Sequence, residues 1–303
     1  MSQLTAKLSG WEEATAADYR HAYLRYGGNF STHPDVLAIQ NQLLKVNSRY
    51  FVRANGQGEI KGALCVWNNQ LIANDYASEN ITSAACLPIA KDELILPLAP
   101  QEKIFLPFNS KILSCCHRQQ AINSTYRFNA RRSLCLAKGV AQFSAKTRQT
   151  RKKELRKFLQ QGGEILPIQQ FSADDILTIY AELFFKRRNQ KIEKSAAQRE
   201  FLQQIKPHIF GDILFFNGSP CAIQLIMKAE SARHITYDYI NIGLDPALSA
   251  LSPGTIITWL NVQQADSECQ SKGKAMRFSF GRPTVEYKNR WCYQQPVGRI
   301  VTL

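Results

Sequence analysis

The sequence lacks the short motifs by which many catalytic and metal sites are recognised. It contains no Gly-x-Ser-x-Gly turn, no Walker loop, no Rossmann glycine fingerprint and no His-Glu-x-x-His. None of its eight cysteines stands in a Cys-x-x-Cys pair, so the spacing used by most structural zinc sites is missing. The sequence therefore predicts no metal site.

Long apolar runs are also missing. The first residues, MSQLTAKLSGWEEA, contain no apolar core of the kind found in a secretory signal peptide. No uncharged run reaches the ~20 residues that a membrane-spanning helix needs. These absences predict a cytoplasmic protein with reduced thiols, and they leave open a peripheral attachment to the inner membrane.

Acidic residues are few relative to basic ones. The 303 residues include 24 Asp and Glu against 38 Lys and Arg, for a net charge of +14. Such a field attracts nucleic acid, phosphorylated cofactors or anionic lipid headgroups; a basic surface without a partner is the alternative. The 45% apolar content is typical of a soluble globular chain of one large or two modest domains.

The basic residues concentrate in one segment, residues 144–161. Seven Lys or Arg lie between Lys146 and Lys157, and Glu154 is the one acidic residue among them. A short apolar stripe predicts a single helix that ends at Gly162-Gly163. This helix could bind nucleic acid, lie on an anionic membrane surface, or be a solvated link between two halves of the chain.

Local turn signals divide the rest of the chain. Asn55-Gly56 and Asn217-Gly218 each join two apolar segments, which predicts one β-hairpin on either side of the basic helix. Each hairpin follows predicted helices, over 11–26 and 35–44 in the first half, and over 172–188 and 196–205 in the second. The similar order suggests an internal duplication, although the residues do not align well enough to prove it.

The segment 235–291 contains the most informative pattern. An aromatic strand leads to Pro253-Gly254, then to an amphipathic helix over 256–265 and a strand in which Met276, Phe278 and Phe280 alternate. A glycine turn followed by a helix N-terminus is how many folds bind phosphate, because the N–H groups of the first turn attract anions.

This pattern resembles the FemABX-like branch of the GNAT acetyltransferase superfamily. The resemblance rests on Gly243-x-Asp245, Pro253-Gly254, the Phe278–Gly281 segment and Tyr287-Lys288-x-x-Trp291. The segment YGGNFSTHPDVL, residues 26–37, looks most like the Mig-14 family, bacterial proteins linked to resistance against antimicrobial peptides.

The resemblance implies an α/β (α+β) fold of tandem GNAT-like halves, with mixed sheets flanked by helices. We expect an N-terminal half over 1–143, the basic connecting helix over 144–162 and a C-terminal half over 163–303. It also implies transfer of an acyl group to an amine, from acetyl-CoA, another acyl-CoA or, as the alternative donor, aminoacyl-tRNA. The usual acetyl-CoA loop is absent, since the turn here reads Ala250-Leu-Ser-Pro-Gly254.

Roles for individual residues follow from these implications. Asp238 is the candidate base and Tyr287 the candidate acid; the alternatives are a solvent-facing carboxylate and an ordinary hydrogen-bonding tyrosine. The candidate cofactor-binding residues are Pro253, Gly254, Thr255, Arg282 and Lys288, and the candidate substrate-binding residues are His33, Tyr237 and Trp291. For His33, a helix-capping turn is the alternative.

Three functions fit the sequence. The first is a GNAT-like acyltransferase that contributes to resistance against antimicrobial peptides. The second is a non-catalytic protein of the same fold that binds anionic membrane or nucleic acid through its basic helix. The third is transfer from aminoacyl-tRNA, which would unite the basic helix and the fold in one mechanism.

Overall fold

The computed structural model describes residues 2–72, 87–127, 132–192 and 194–302. Its helices are α1 (Ser2–Leu8), α2 (Ala16–Tyr26), α3 (Pro34–Leu44), α4 (Ala145–Gln160), α5 (Ala173–Arg188), α6 (Ala196–Gln204), α7 (Pro253–Ser271) and α8 (Lys288–Trp291). Its strands are β1 (Glu12–Ala14), β2 (Arg49–Ala54), β3 (Ile60–Trp67), β4 (Gln70–Leu71), β5 (Arg132–Ala137), β6 (Gly163–Pro167), β7 (Ile209–Phe210), β8 (Asp212–Phe216), β9 (Ser219–Glu230), β10 (His234–Leu244), β11 (Ala275–Ser279) and β12 (Cys292–Val297). The predicted α/β class, with sheets flanked by helices, is confirmed.

The first sheet is a meander in the order β1-β2-β3-β4. The hairpin between β2 and β3 turns where the Asn-Gly signal predicts it. The side-chain oxygen of Asn55 accepts hydrogen bonds from the N–H groups of Gln57 (3.1 Å) and Glu59 (2.9 Å). Asparagine thus closes the turn with its own side chain, which is why the sequence signal is reliable here.

The helix predicted over residues 11–26 begins later than predicted. Residues Glu12–Ala14 form β1 and pair with β2, and α2 starts only after Thr15. Thr15 and Asp18 form a reciprocal capping box, in which each side chain accepts a hydrogen bond from the backbone N–H of the other. This cap satisfies N–H groups that would otherwise be unpaired at the helix start, so it sets the boundary.

The second sheet has the order β12-β5-β11-β10-β9-β8-β6, with β7 paired to β9. Its hairpin β8–β9 lies at the second Asn-Gly turn, as predicted. Strand β5 pairs with β12 along its whole length, from Arg132 to Ala137. Since β5 precedes the basic helix in sequence, the first of the two predicted halves contributes a strand to the sheet of the second.

The sheet parts between β10 and β11. These two strands are parallel from the pair His234 and Ala275 to the pair Asp238 and Ser279. Beyond that point β10 stays paired with β9 as far as Leu244, while the chain after β11 turns to β5, where the Phe280 N–H donates to the Cys135 carbonyl (2.8 Å). A slot therefore opens between the strands immediately after Asp238.

The two faces of the second sheet pack against different partners. On one face α7 supplies Trp259, Val262 and Ala265 to an apolar cluster that contains Tyr237 of β10. On the other face Ile240 of β10 contacts the large cluster formed by α5 and the first half of the chain. Helix α7, predicted over 256–265, is confirmed and extends from Pro253 to Ser271.

Two expectations from composition concern thiols and membrane spans. The seven cysteines in the described residues are all free, and Cys86 lies outside those residues. Among the helices of the described ranges, none is both long enough and apolar enough to cross a lipid bilayer.

Candidate active site

A cavity of about 600 Å³ lies where the end of β10, the start of α7 and the segment around α8 meet. The walls include both basic and aromatic side chains, namely Arg187, Tyr239, Tyr287, Arg290 and Trp291. Its floor is the first turn of α7. Asp245 also lines the cavity, but it is paired with Lys186 at 2.7 Å. The cavity is therefore large enough for part of a cofactor, and its two arginines suit an anionic group.

The first turn of α7 is shaped to face an anion. Ser252, the residue before the helix, has φ = 53° and its side chain does not cap the helix. Pro253 has no N–H, and Gly254 follows it against the cavity, where an added Cβ would lie 3.0 Å from a methyl carbon of Leu244. The N–H groups of Thr255 and Ile256 donate to the Ser252 carbonyl, so the positive end of the helix dipole and the Gly254 N–H are what this turn offers to an anion.

Tyr239 and Tyr287 form a pair on the cavity wall. Burial raises the pKa of Tyr239, and the adjacent Tyr287 hydroxyl raises it further. Burial also raises the pKa of Tyr287, but the hydrogen bond with Tyr239 opposes that shift. Both hydroxyls are therefore protonated at pH 7. The ring of Phe280 lies 5.1 Å from the ring of Tyr239 and fills the base of the slot.

Asp238 lies at the point where β10 and β11 part. Its side chain is buried, with 3% of the residue exposed, and its Oδ2 atom has no hydrogen-bond partner within the described residues. Burial, followed by repulsion from Glu93, raises the pKa of this carboxyl to about 8. The alternative of a solvent-facing carboxylate is thus wrong, and Asp238 is a buried acid that titrates near neutral pH.

A buried ion pair adjoins Asp238. Arg277 of β11 donates to both carboxylate oxygens of Glu93, with the Nε–Oε2 distance at 2.9 Å. The side chains of this pair are only 11% and 5% exposed. Neighbouring Gln295 accepts further hydrogen bonds, from Arg277 (3.4 Å) and from the Cys115 thiol (2.7 Å). The face of β10 opposite α7 is therefore polar and charged although it is buried.

The structure brings five of the predicted site residues together. Pro253, Gly254, Thr255, Tyr287 and Trp291 all line the cavity. Asp238 lies at the mouth of the slot, one residue before Tyr239. In the chain, α7 follows β10 and α8 follows β11. The start of α7 and the segment around α8 therefore both lie near the slot where these two strands diverge.

The structure places three other predicted residues away from the cavity wall. Lys288 is buried, and its Nζ atom donates to the carbonyls of Phe280 and Arg282, both at 2.6 Å. Arg282 pairs instead with Asp92, at 2.9 Å. The hydroxyl of Tyr237 donates to Glu268 (2.8 Å) inside the cluster under α7. These contacts stabilise the turn after β11 and the sheet core.

His33 also lies away from the cavity. Its Nδ1 atom accepts a hydrogen bond from the N–H of Asp35 (3.3 Å) at the start of α3, as the capping alternative requires. Its ring lies 4.7 Å from the ring of His208. Burial and the nearby His208 lower the pKa of His33 to about 4, so the ring is neutral at pH 7.

Sequence reasoning missed Arg187, Tyr239 and Arg290 as wall residues. Arg187 lies in the basic last turn of α5, which the sequence explains equally well as a favourable interaction with the helix dipole. In the structure its Nη1 donates to the Ile242 carbonyl (2.8 Å), which holds the guanidinium beside β10. The alternation Tyr237, Asp238, Tyr239 could have identified Tyr239, since side chains two residues apart share a face.

The predicted basic helix is confirmed as α4, from Ala145 to Gln160, and it lies beside the cavity. The guanidinium of Arg151 lies 5.8 Å from the centre of the Trp291 ring, and it pairs with Glu154 at 2.6 Å. Most of the remaining basic side chains, including Lys152, Lys153 and Arg156, are exposed. The helix thus presents several exposed positive charges to solvent.

Comparison with known proteins supports the fold described above. The structure is similar to the crystal structure of FemX, with a TM-score of 0.55 and 9% identity over 96% of this chain and 97% of that one. It is also similar to the C-terminal domain of a putative lysylphosphatidylglycerol synthetase from Agrobacterium fabrum (TM-score 0.51, 10% identity, 95% and 93% covered). At these identities the likeness shows the fold, a FemABX-like branch of the GNAT fold.

No curated protein sequence matches the chain. The Mig-14 family model matches residues 33–300, and the chain therefore belongs to the Mig-14 family.

Proposed function

We propose that this protein is an N-acyltransferase, which moves an acyl or aminoacyl group from an activated donor to an amine. The observation that carries the proposal is the cavity at the N-terminus of α7, which adjoins the slot between β10 and β11. The helix start, Arg187 and Arg290 supply the positive potential that a phosphorylated donor needs. The slot then directs the acyl end of the donor towards Asp238.

The groups around the slot divide the chemistry between the two faces of β10. The amine nitrogen attacks the donor carbonyl carbon, a C–N bond forms, and the C–S bond of a thioester breaks. Asp238 takes the proton that the amine loses, and Tyr287 gives a proton to the departing sulfur. A carboxyl with a pKa of about 8 suits the base, and a protonated tyrosine on the cavity wall suits the acid.

The position of α4 supports a second donor class within the same proposal. An aminoacyl-tRNA carries its reactive ester at the end of a long polyanion, and the exposed basic residues of α4 flank the cavity at Arg151. With that donor a C–O bond breaks, and the proton from Tyr287 goes to the ribose oxygen. The basic helix then binds phosphates along the acceptor stem.

The biological setting is the remaining part of the proposal. The acceptor is an amine of an envelope component, and its acylation supports bacterial resistance to cationic antimicrobial peptides. We place the protein in the cytoplasm, with the basic face of α4 able to contact the anionic surface of the inner membrane.

Thermal unfolding with candidate donors tests the proposal. The full chain is heated alone, with acetyl-CoA, with CoA and with aminoacylated tRNA. A ligand that binds only the folded state at 100 times its Kd adds about 2.7 kcal/mol to the free energy of unfolding. We expect one donor class to raise the Tm.

Two glycine variants locate the binding site. Gly254→Leu fills the cavity at the helix start and should abolish the shift. Gly56→Leu is the matched control, because a side chain at Gly56 meets nothing within 4 Å and lies in the first hairpin. No shift with any donor would contradict the enzyme. Binding to anionic vesicles or nucleic acid alone would then favour the non-catalytic alternative.

A further inference from the structure

A cluster of three potential metal ligands lies outside the cavity. One ligand atom from each of His33, Asp35 and His208 lies within 4.8 Å of the other two. The first two residues stand at the start of α3, and His208 precedes β7 in the second half of the chain. The cluster therefore joins two segments that are far apart in sequence. The side chain of His33 is 14% exposed and that of Asp35 is 50% exposed, so an ion can reach it from solvent.

The ring of His208 is oriented as in a metal-binding histidine. Its Nδ1 atom lies 2.9 Å from the carbonyl oxygen of Lys228. A carbonyl only accepts hydrogen bonds, so in the neutral ring Nδ1 carries the proton and Nε2 keeps its lone pair. A backbone carbonyl on the second ring nitrogen is the usual outer-shell partner of a ligating histidine.

Asp35 is oriented in a comparable way. Its Oδ1 atom is held by Arg20, whereas its Oδ2 atom faces His33, with 3.7 Å between Oδ2 and Nδ1. One carboxylate oxygen is thus fixed by a charged partner, and the other points into the cluster. The hydrogen bond from the Asp35 N–H to His33 is long, at 3.3 Å, and an ion at Nδ1 can replace it.

The surrounding rings restrict both histidines. The edge of Tyr23 packs on His33 with 5.0 Å between ring centres, and Phe30 packs on His208 at 5.6 Å. Zinc bonds to imidazole and carboxylate measure about 2.0–2.2 Å, so the ligand atoms need to approach one another by roughly 1 Å. Asp35 can supply much of this movement because its side chain is half exposed.

We propose that His33, Asp35 and His208 bind a divalent first-row transition metal ion, with Zn²⁺ as the reference ion. Two imidazoles and one carboxylate are a ligand set that Zn²⁺, Co²⁺ and Fe²⁺ accept, and three protein ligands leave a coordination position for water or a substrate. The ion links α3 to the segment before β7 and so clamps the two halves of the chain together. The absence of a sequence motif is no obstacle, because the ligands meet only through the tertiary fold.

Titration of the full chain with Co²⁺ tests the proposal. The exposed Cys116 is first replaced by serine, so that no accessible thiolate there binds the ion. We expect a saturable visible absorption typical of low-symmetry Co²⁺, with a stoichiometry of one, which Zn²⁺ displaces. We also expect Zn²⁺ at 100 times its Kd to raise the Tm by about 5 °C.

Three conservative variants identify the ligands: His33→Gln, Asp35→Asn and His208→Gln. Each should weaken Co²⁺ binding at least tenfold, while His21→Gln, on an exposed histidine of α2, should leave it unchanged. Circular dichroism without metal verifies that each variant folds. The proposal would be overturned if the Co²⁺ absorption were unchanged in each of the three variants. It would also be overturned if the folded parent chain bound no stoichiometric Co²⁺. The Tm shift caused by an acyl donor should persist in His208→Gln, because His208 does not line the cavity. The metal test and the acyltransferase test can therefore fail independently.

Discussion

The two faces of β10 bury very different groups. On the face towards α7, Tyr237 and Tyr239 pack among aromatic and apolar side chains, and Tyr239 also lines the cavity. On the opposite face, Asp238 lies beside the buried pair of Glu93 and Arg277. One strand therefore separates the cavity from a buried carboxyl.

The largest effect of a single substitution at neutral pH is expected from breaking the buried ion pair of Glu93 and Arg277. Arg277→Ala leaves Glu93 as a buried, uncompensated carboxylate, so we expect the free energy of unfolding to fall by about 3–5 kcal/mol. Arg199→Ala is the control, because Arg199 pairs with Asp174 at the surface, with side-chain exposures of 44% and 62%. That change should cost about 0–1 kcal/mol in urea unfolding. Equal losses of stability in the two variants would contradict a larger contribution from the buried pair than from the surface pair.

The next prediction concerns the catalytic rate and tests Tyr287 on the cavity wall. Once a donor is identified, Tyr287→Phe should lower kcat by about 100-fold, since the departing group loses its proton donor. KM should change little. Tyr293→Phe is the control, because Tyr293 has nearly the same exposure (38% against 39%) and does not line the cavity. A normal kcat for Tyr287→Phe would remove this tyrosine from the mechanism.

A third prediction concerns the pH dependence of stability. The pKa of Asp238 is about 8 in the folded chain, against about 3.9 when unfolded. Its contribution to stability is therefore full below pH ~4 and is lost as the pH rises towards 8, by about 1.4 kcal/mol per pH unit. Asp238→Asn should lack this slope. Denaturant unfolding from pH 4 to 8 measures the difference, and parallel curves would refute a raised pKa.

The smallest effect on stability is expected at α4. Lys152→Ala with Lys153→Ala removes two exposed charges, so the free energy of unfolding should change by less than about 0.5 kcal/mol. Affinity for tRNA should fall and its salt dependence should weaken, if the helix binds phosphates beside the cavity. Unchanged tRNA affinity in filter binding would indicate that α4 is a solvated helix that does not bind tRNA.

Much of the local structure could be predicted from the sequence. The Asn-Gly hairpins and the end of α4 are set by turn residues that act on their immediate neighbours. Pro253, Gly254, Tyr287 and Trp291 were singled out through the family resemblance, and all four line the cavity. The boundary of α2 was not, because an apolar pattern continued past the cap at Thr15.

The tertiary structure alone decided which distant residues meet. Glu93 reaches Arg277, and His33 reaches His208, only because loops between them close in the folded chain. Lys288 was predicted to bind a cofactor, yet it is buried and donates to two backbone carbonyls. Periodicity and turn chemistry report contacts within a few residues, whereas burial and pKa depend on groups from the whole chain. The sequence by itself thus determined the hairpins and most of the helices, because these depend on near neighbours, and the fold decided which charged groups surround the cavity.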